Sequence, residues 1–127
     1  MKLEHVAINV PDPAGQAQWF VDHLGMRIVM ASPTSPYMHF VADDVGTMLE
    51  LYNNPVAPMP DYANVNPFNL HFAYTSADIE ADRDRMVAAG ATLVTEVTTT
   101  AAGDKLLFLR TPWQVPFQFV QRKKPLI

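Results

Sequence analysis

One order of elements occurs twice in this chain, the second time shifted by a nearly constant number of positions, and that repetition restricts its possible folds more than any other feature. In the first half, LEHVAINV at residues 3–10 reads as a strand that Pro11 ends. Asp12 then offers an N-cap, Pro13 suits the first turn, and Ala17, Phe20, Val21 and Leu24 fall at helix spacing before Gly25 stops the helix. Three short strand-like runs follow, RIVMAS, YMHFVA and TMLELY, separated by the turn-forming SPTSP and DDVG. After residues 54–67, a connector with four prolines and no regular period, the order restarts. NLHFAY reads as a strand, Ser76 as an N-cap, ADIEADRDRMVAAG as a helix ending at Gly90, and TLVTEV, KLLFLR and PFQFVQ as three strands. Each half is βαβββ. His71 stands to His5 as Asp78 stands to Asp12, at an identical offset, and the offset from Gly25 to Gly90 is shorter by a single position.

A half of this kind presents one incomplete curved sheet, so it needs the other half or a partner chain to close its core. At 127 residues the chain is expected to form one compact domain or two halves sharing a core. Composition narrows the chemistry. A net charge of -4 gives no basic field for nucleic acid, and the absence of cysteine excludes disulfides, thiolate metal sites and cysteine nucleophiles. Any metal must be held by N and O donors. No stretch approaches the roughly 20 apolar residues of a membrane span, so no membrane association and a cytoplasmic location are expected.

Four strands carry a polar residue among apolar neighbours: His5, Glu50, His71 and Gln118. Glu50 and Gln118 stand at nearly matching positions in the last strand of each half. The repeat therefore pairs polar positions, all expected mid-strand. A carboxylate inside a sheet is tolerable when paired or metal-bound, and two histidines with a carboxylate suit a divalent first-row metal. Taken singly, a strand histidine is more often a hydrogen-bonded core or edge residue than a ligand, and Gln118 is a poor ligand. His23, near a helix C-terminus, reads as surface, and His39 as an ordinary core residue. The alternating charges of DIEADRDRM read as a solvated helix face.

The residues His5, Ala7, Val10 and Asp12, Trp19-Phe20, Leu24-Gly25-Met26, Glu50-Leu51, His71 with Asp78-Ile79-Glu80, Ala89-Gly90-Ala91, and the segment from Arg110 to Gln121 together resemble the vicinal oxygen chelate superfamily, the glyoxalase, bleomycin-resistance and extradiol-dioxygenase group. The resemblance spans the whole chain. It implies an α+β fold in which two βαβββ modules form an open, cup-like mixed sheet: module 1 at residues 1–53, connector 54–67, module 2 at residues 68–122 and a short basic tail at 123–127. It also implies a homodimer, and metal ligands at His5, Glu50, His71 and Gln118 for nickel, zinc, manganese, iron or cobalt.

Departures from the family pattern matter as much. The last ligand position is commonly Glu and here is Gln118, which cannot act as a general base. At the positions that hold glutathione in glyoxalase I stand Asn9, where an Arg is expected, and Asn54, which keeps the Asn. The turn Thr111-Pro112-Trp113-Gln114-Val115 is bulkier and more apolar than the family's usual one.

The expected function is a metal-dependent lyase or isomerase resembling glyoxalase I. It would act on a small substrate with vicinal oxygens through an enediolate-like intermediate, with Glu50 as the catalytic base. Met38, Phe40, Met48, Tyr52, Phe108 and Trp113 would wall the substrate pocket, with Asn54 beside them. Two alternatives are a metal-free protein that sequesters a small ligand, as bleomycin-resistance members do, and an extradiol-type dioxygenase. Gln118 favours the former and counts against the latter.

Overall fold

The computed structural model describes all 127 residues. They divide into two compact units, Met1–Pro60 and Asp61–Ile127, with the boundary inside the proline-rich connector. The fold is α+β with two open mixed sheets. No helix is long and apolar enough to cross a membrane.

In the first unit, β1 (His5–Asn9) leads to α1 (Pro13–Leu24), followed by β2 (Arg27–Ala31), β3 (His39–Ala42) and β4 (Met48–Tyr52). The sheet order is β1-β4-β3-β2, with β1 and β4 parallel and the other neighbours antiparallel. Asp12 caps α1 by accepting the Gly15 N–H at 3.0 Å, and Gly25 ends it at φ 68°, a conformation that costs glycine little. Ala17, Trp19 and Phe20 of α1 are buried with Ile8, Val41, Leu49 and Leu51. Along β4 burial alternates: Leu49 and Leu51 are buried, while Met48, Glu50 and Tyr52 on the other face are half-buried.

The second unit contains β5 (Phe72–Thr75), α2 (Ile79–Ala88), β6 (Thr92–Leu93), β7 (Thr98–Thr99), β8 (Lys105–Arg110) and β9 (Pro116–Gln121). Its order is β5-β9-β8-β6, with β7 also on β8. Leu107, Leu109, Phe117 and Phe119 share one buried face, on which Gln121 Oε1 accepts the Ile79 N–H at 2.9 Å and so ties α2 to the sheet.

Four expectations change. His71 is not mid-strand: a turn in which Asn69 and Leu70 both donate to the Asn66 carbonyl delays β5 until Phe72. His5 is the first residue of β1 and not an interior one. The cap of α2 is Asp78, which accepts the Ala81 N–H, while the Ser76 hydroxyl donates to Asp82. TLVTEV is not a continuous strand, because the Val94 and Thr95 N–H groups both bond to the Phe108 carbonyl, and two residues opposite one break the ladder.

The connector is held at both ends. Asn9, 8% exposed, accepts the Asn54 N–H and donates to the carbonyls of Asn54 and Ala57. In the second unit Arg110 donates to the carbonyls of Tyr62, Val65 and Gln114 around the short 3-10 turn Tyr62–Asn64.

Candidate functional site

Glu50 sits on a central strand of the first sheet, opposite Ala7 of β1 and Phe40 of β3. These neighbours are apolar, so the carboxylate stands in an apolar strip of the sheet. Its side chain is 13% exposed, and no Lys or Arg pairs with it. Its polar neighbour is His5, whose Nε2 lies 3.4 Å from Glu50 Oε2. The other ring nitrogen, Nδ1, lies 2.9 Å from Glu4 Oε2. Both nitrogens face carboxylates, which can only accept; with the proton of the neutral ring on Nδ1, toward the nearer oxygen of Glu4, Nε2 keeps its lone pair. Nε2 and Oε2 then face each other as two acceptors, an arrangement that calls for a proton or a cation between them. Phe40 supports the imidazole edge to face, with ring centres 5.2 Å apart at 87°.

The second unit repeats this arrangement with different chemistry. His71 donates Nδ1–H to the Pro67 carbonyl at 2.6 Å, which leaves Nε2 as an acceptor with no partner. Phe108 packs against the ring at 5.2 Å and 89° and pairs across the sheet with Gln118. Gln118 is 7% exposed, and its amide makes no side-chain hydrogen bond within the chain while keeping some access to solvent. His5, Phe40 and Glu50 thus correspond to His71, Phe108 and Gln118, the same three roles carried from one half of the repeat to the other.

Within the first unit, then, His5 and Glu50 are brought together; within the second, His71 packs on Phe108, whose cross-strand partner is Gln118. Nowhere do three His, Asp or Glu side chains form a group able to hold a metal ion. Phe40, Met48 and Tyr52 lie on the Glu50 face, and Met38 is half-buried just before β3. Trp113 is half-buried in the turn between β8 and β9 and makes no ring contact with His71. Asn54 is half-buried and accepts the Val56 N–H through Oδ1 in a local turn. His39 lies on the opposite face from Glu50, paired across the strands with Leu51.

Several supporting groups escape a reading of the sequence. Glu4 and Pro67 fix the two imidazoles through Nδ1. Their signal is faint: one is adjacent to its histidine, the other four residues before it. The matched ring contacts of Phe40 and Phe108 escape it too, although each phenylalanine precedes its strand-four polar partner, Glu50 or Gln118, by the same interval.

The donors present suit a divalent first-row cation in kind: two imidazole nitrogens positioned by second hydrogen bonds, one carboxylate and one amide, with no thiolate. Two bonds of about 2.1 Å at a tetrahedral angle set donor atoms about 3.4 Å apart, the separation found between His5 and Glu50. The first unit by itself supplies two such donors.

A family model described as Glyoxalase/Bleomycin resistance protein/Dioxygenase superfamily matches residues 2–119. No curated protein matches the sequence. Among solved structures, a glyoxalase/bleomycin resistance protein/dioxygenase family enzyme from Burkholderia phytofirmans PsJN is similar at a TM-score of 0.76 and 14% identity, covering 95% of this chain and 98% of that one. TnmS3, an antibiotic binding protein from Streptomyces sp. CB03234, has a TM-score of 0.71 and 16% identity, covering 97% of each chain. A mutant glyoxalase I from Zea mays has a TM-score of 0.74 and 19% identity, covering 97% of this chain and 46% of that one. At these identities the likeness establishes the fold.

Proposed function

Because the chain belongs to the glyoxalase/bleomycin resistance protein/dioxygenase superfamily, we propose that it is a metal-dependent lyase or isomerase acting on a small substrate with vicinal oxygens. His5, Glu50, His71 and Gln118 are its metal donors. One observation carries this function: each unit holds a histidine through Nδ1 and presents Nε2, and in the first unit that nitrogen faces, at 3.4 Å, a Glu50 carboxylate that no Lys or Arg neutralises. A divalent cation, when bound, supplies the positive charge that stabilises negative charge developing on substrate oxygens. Glu50 takes the proton α to the substrate carbonyl at an Oε atom, because Gln118 has no basic oxygen at the corresponding position. Phe40, Met48 and Tyr52 line the strip beside it and exclude water from the carboxylate.

A second function, metal-free sequestration of a small ligand, is supported by Gln118, a neutral amide where a carboxylate is common in the family. Elemental analysis separates the two. Purified protein, loaded anaerobically with nickel, zinc, manganese, iron or cobalt and then desalted, is expected to retain stoichiometric metal that His5→Ala, Glu50→Ala and His71→Ala each lose. A protein that retains no metal from any of the five sinks the lyase or isomerase reading. Retention by Glu50→Ala removes the carboxylate from the site.

A further inference from the structure

The first unit holds a second recess, on the opposite face of its sheet from Glu50. Strand alternation sets the two apart: Phe40 faces the same way as Glu50, whereas His39 faces with Leu51 toward the layer that contains α1. There the start of α1, the end of β2 and the start of β3 border an open cleft of about 620 Å³, within the range of small-molecule sites. Asp12, Pro13, Ala31, Tyr37, His39 and Asn53 line it.

His39 is the decisive residue. It is 9% exposed, and its Nδ1 donates to the Tyr37 carbonyl at 2.8 Å, so the ring is the tautomer whose Nε2 accepts. Nε2 has no partner in the chain and keeps access to solvent, so it is open to a donor from the cleft that His39 lines. Asp12 adds a carboxylate. Its Oδ1 accepts the Gly15 N–H, no cation pairs with it, and no Lys or Arg lines the cleft. The exposed amide of Asn53 supplies a further acceptor, and the rings of Pro13 and Tyr37 give the walls apolar area. The recess therefore carries a carboxylate and an imidazole acceptor with no positively charged side chain beside them.

We propose that this cleft is a second ligand site, for a small organic cation that combines a primary ammonium group with an apolar body. The ammonium donates to His39 Nε2 and lies within the field of Asp12, while the apolar part packs on Tyr37 and Pro13. None of this depends on metal at His5 and Glu50, so the two proposals stand or fall separately.

The test is a titration of the full chain with phenethylamine, followed by amide chemical shifts and calorimetry, with 2-phenylethanol and phenylacetate as neutral and anionic counterparts. Saturable shifts are expected at Ala14, Ser32, His39 and Asn53, with phenethylamine binding at least tenfold tighter than either counterpart. Asp12→Asn keeps the helix cap and tolerates the left-handed conformation of residue 12, φ 52°, so it should leave the melting temperature in place while weakening binding about tenfold. His39→Leu should weaken it as well. The proposal is overturned by absence of saturable shifts, by equal binding of 2-phenylethanol, by tighter binding of phenylacetate, or by unchanged affinity in Asp12→Asn.

Discussion

His5 Nε2 faces Glu50 Oε2 at 3.4 Å, longer than the 2.7 to 2.9 Å of a charge-assisted hydrogen bond. The pair is thus a poor ion pair and a good pair of donors. Glu50→Gln preserves volume and removes the charge. Zinc affinity, measured by competition with a chromophoric chelator, should fall by tenfold or more. Without metal, the variant should melt no lower than the parent, because a carboxylate at 13% exposure with no Lys or Arg partner is itself unfavourable. A variant that melts lower without metal would mean that Glu50 stabilises the fold through His5.

Glu4 acts on the same site at one remove. It is exposed and holds only the distal nitrogen of His5. Glu4→Gln should leave the fold unchanged and lower metal affinity by about tenfold or less. The same chelator competition checks this. A loss as large as that of Glu50→Gln would make Glu4 a direct ligand.

Arg110 offers a test of the connector. Its guanidinium donates to three carbonyls, at 2.6 Å to Tyr62, 2.9 Å to Val65 and 3.2 Å to Gln114. Arg110→Ala leaves all three without that donor and should cost about 2 kcal/mol or more in denaturant unfolding. Arg110→Lys should recover less than half, since an ammonium lacks the fork that reaches separated acceptors. Hydrogen exchange should quicken at the Asn64 and Val65 amides, which close the 3-10 turn.

The sequence predicted elements wherever local chemistry and tertiary structure agree. Asp12, Pro13 and Gly25 bound α1 through their own backbone preferences, and the apolar runs KLLFLR and PFQFVQ are β8 and β9 over their full length. Prediction failed where distant atoms decide. The bulge at Val94 and Thr95 depends on one carbonyl of β8, and the delayed start of β5 on the Asn66 turn. In the site, the His–Phe–polar repeat was half visible: polar positions stand out against apolar neighbours, but ring contacts leave no trace in spacing. His39 shows the same limit, because alternation fixes which residues share a face but not which face meets the helix.

Asp104 sets an acid limit on stability. The Lys123 backbone N–H and then the Arg122 guanidinium hold its carboxyl below the ordinary value of 3.8. A carboxyl with a depressed folded-state pKa stabilises fully above its unfolded value, and that contribution is lost as pH falls through the folded one. Asp104→Asn should therefore lower the unfolding midpoint at neutral pH, with the gap from the parent closing as acid protonates the carboxyl. A gap that persists in acid would assign the effect to packing.

His71 makes the sharpest claim about protonation geometry, because a carbonyl oxygen such as that of Pro67 can only accept. The neutral ring must then carry its proton on Nδ1, the minor tautomer of free imidazole in water, and at His5, between two carboxylates, the shorter contact to Glu4 favours the same tautomer. Long-range proton–nitrogen correlation spectra at a pH where both rings are neutral should show protonated Nδ1 and unprotonated Nε2 at both residues. Zinc should then move the Nε2 resonances and leave the Nδ1 protons in place. Pro67 keeps its carbonyl whatever its side chain, so Pro67→Ala should preserve the tautomer of His71, whereas Glu4→Ala should release that of His5. A reversed tautomer at His71 would bury the lone pair against the carbonyl and withdraw this histidine from the donor set.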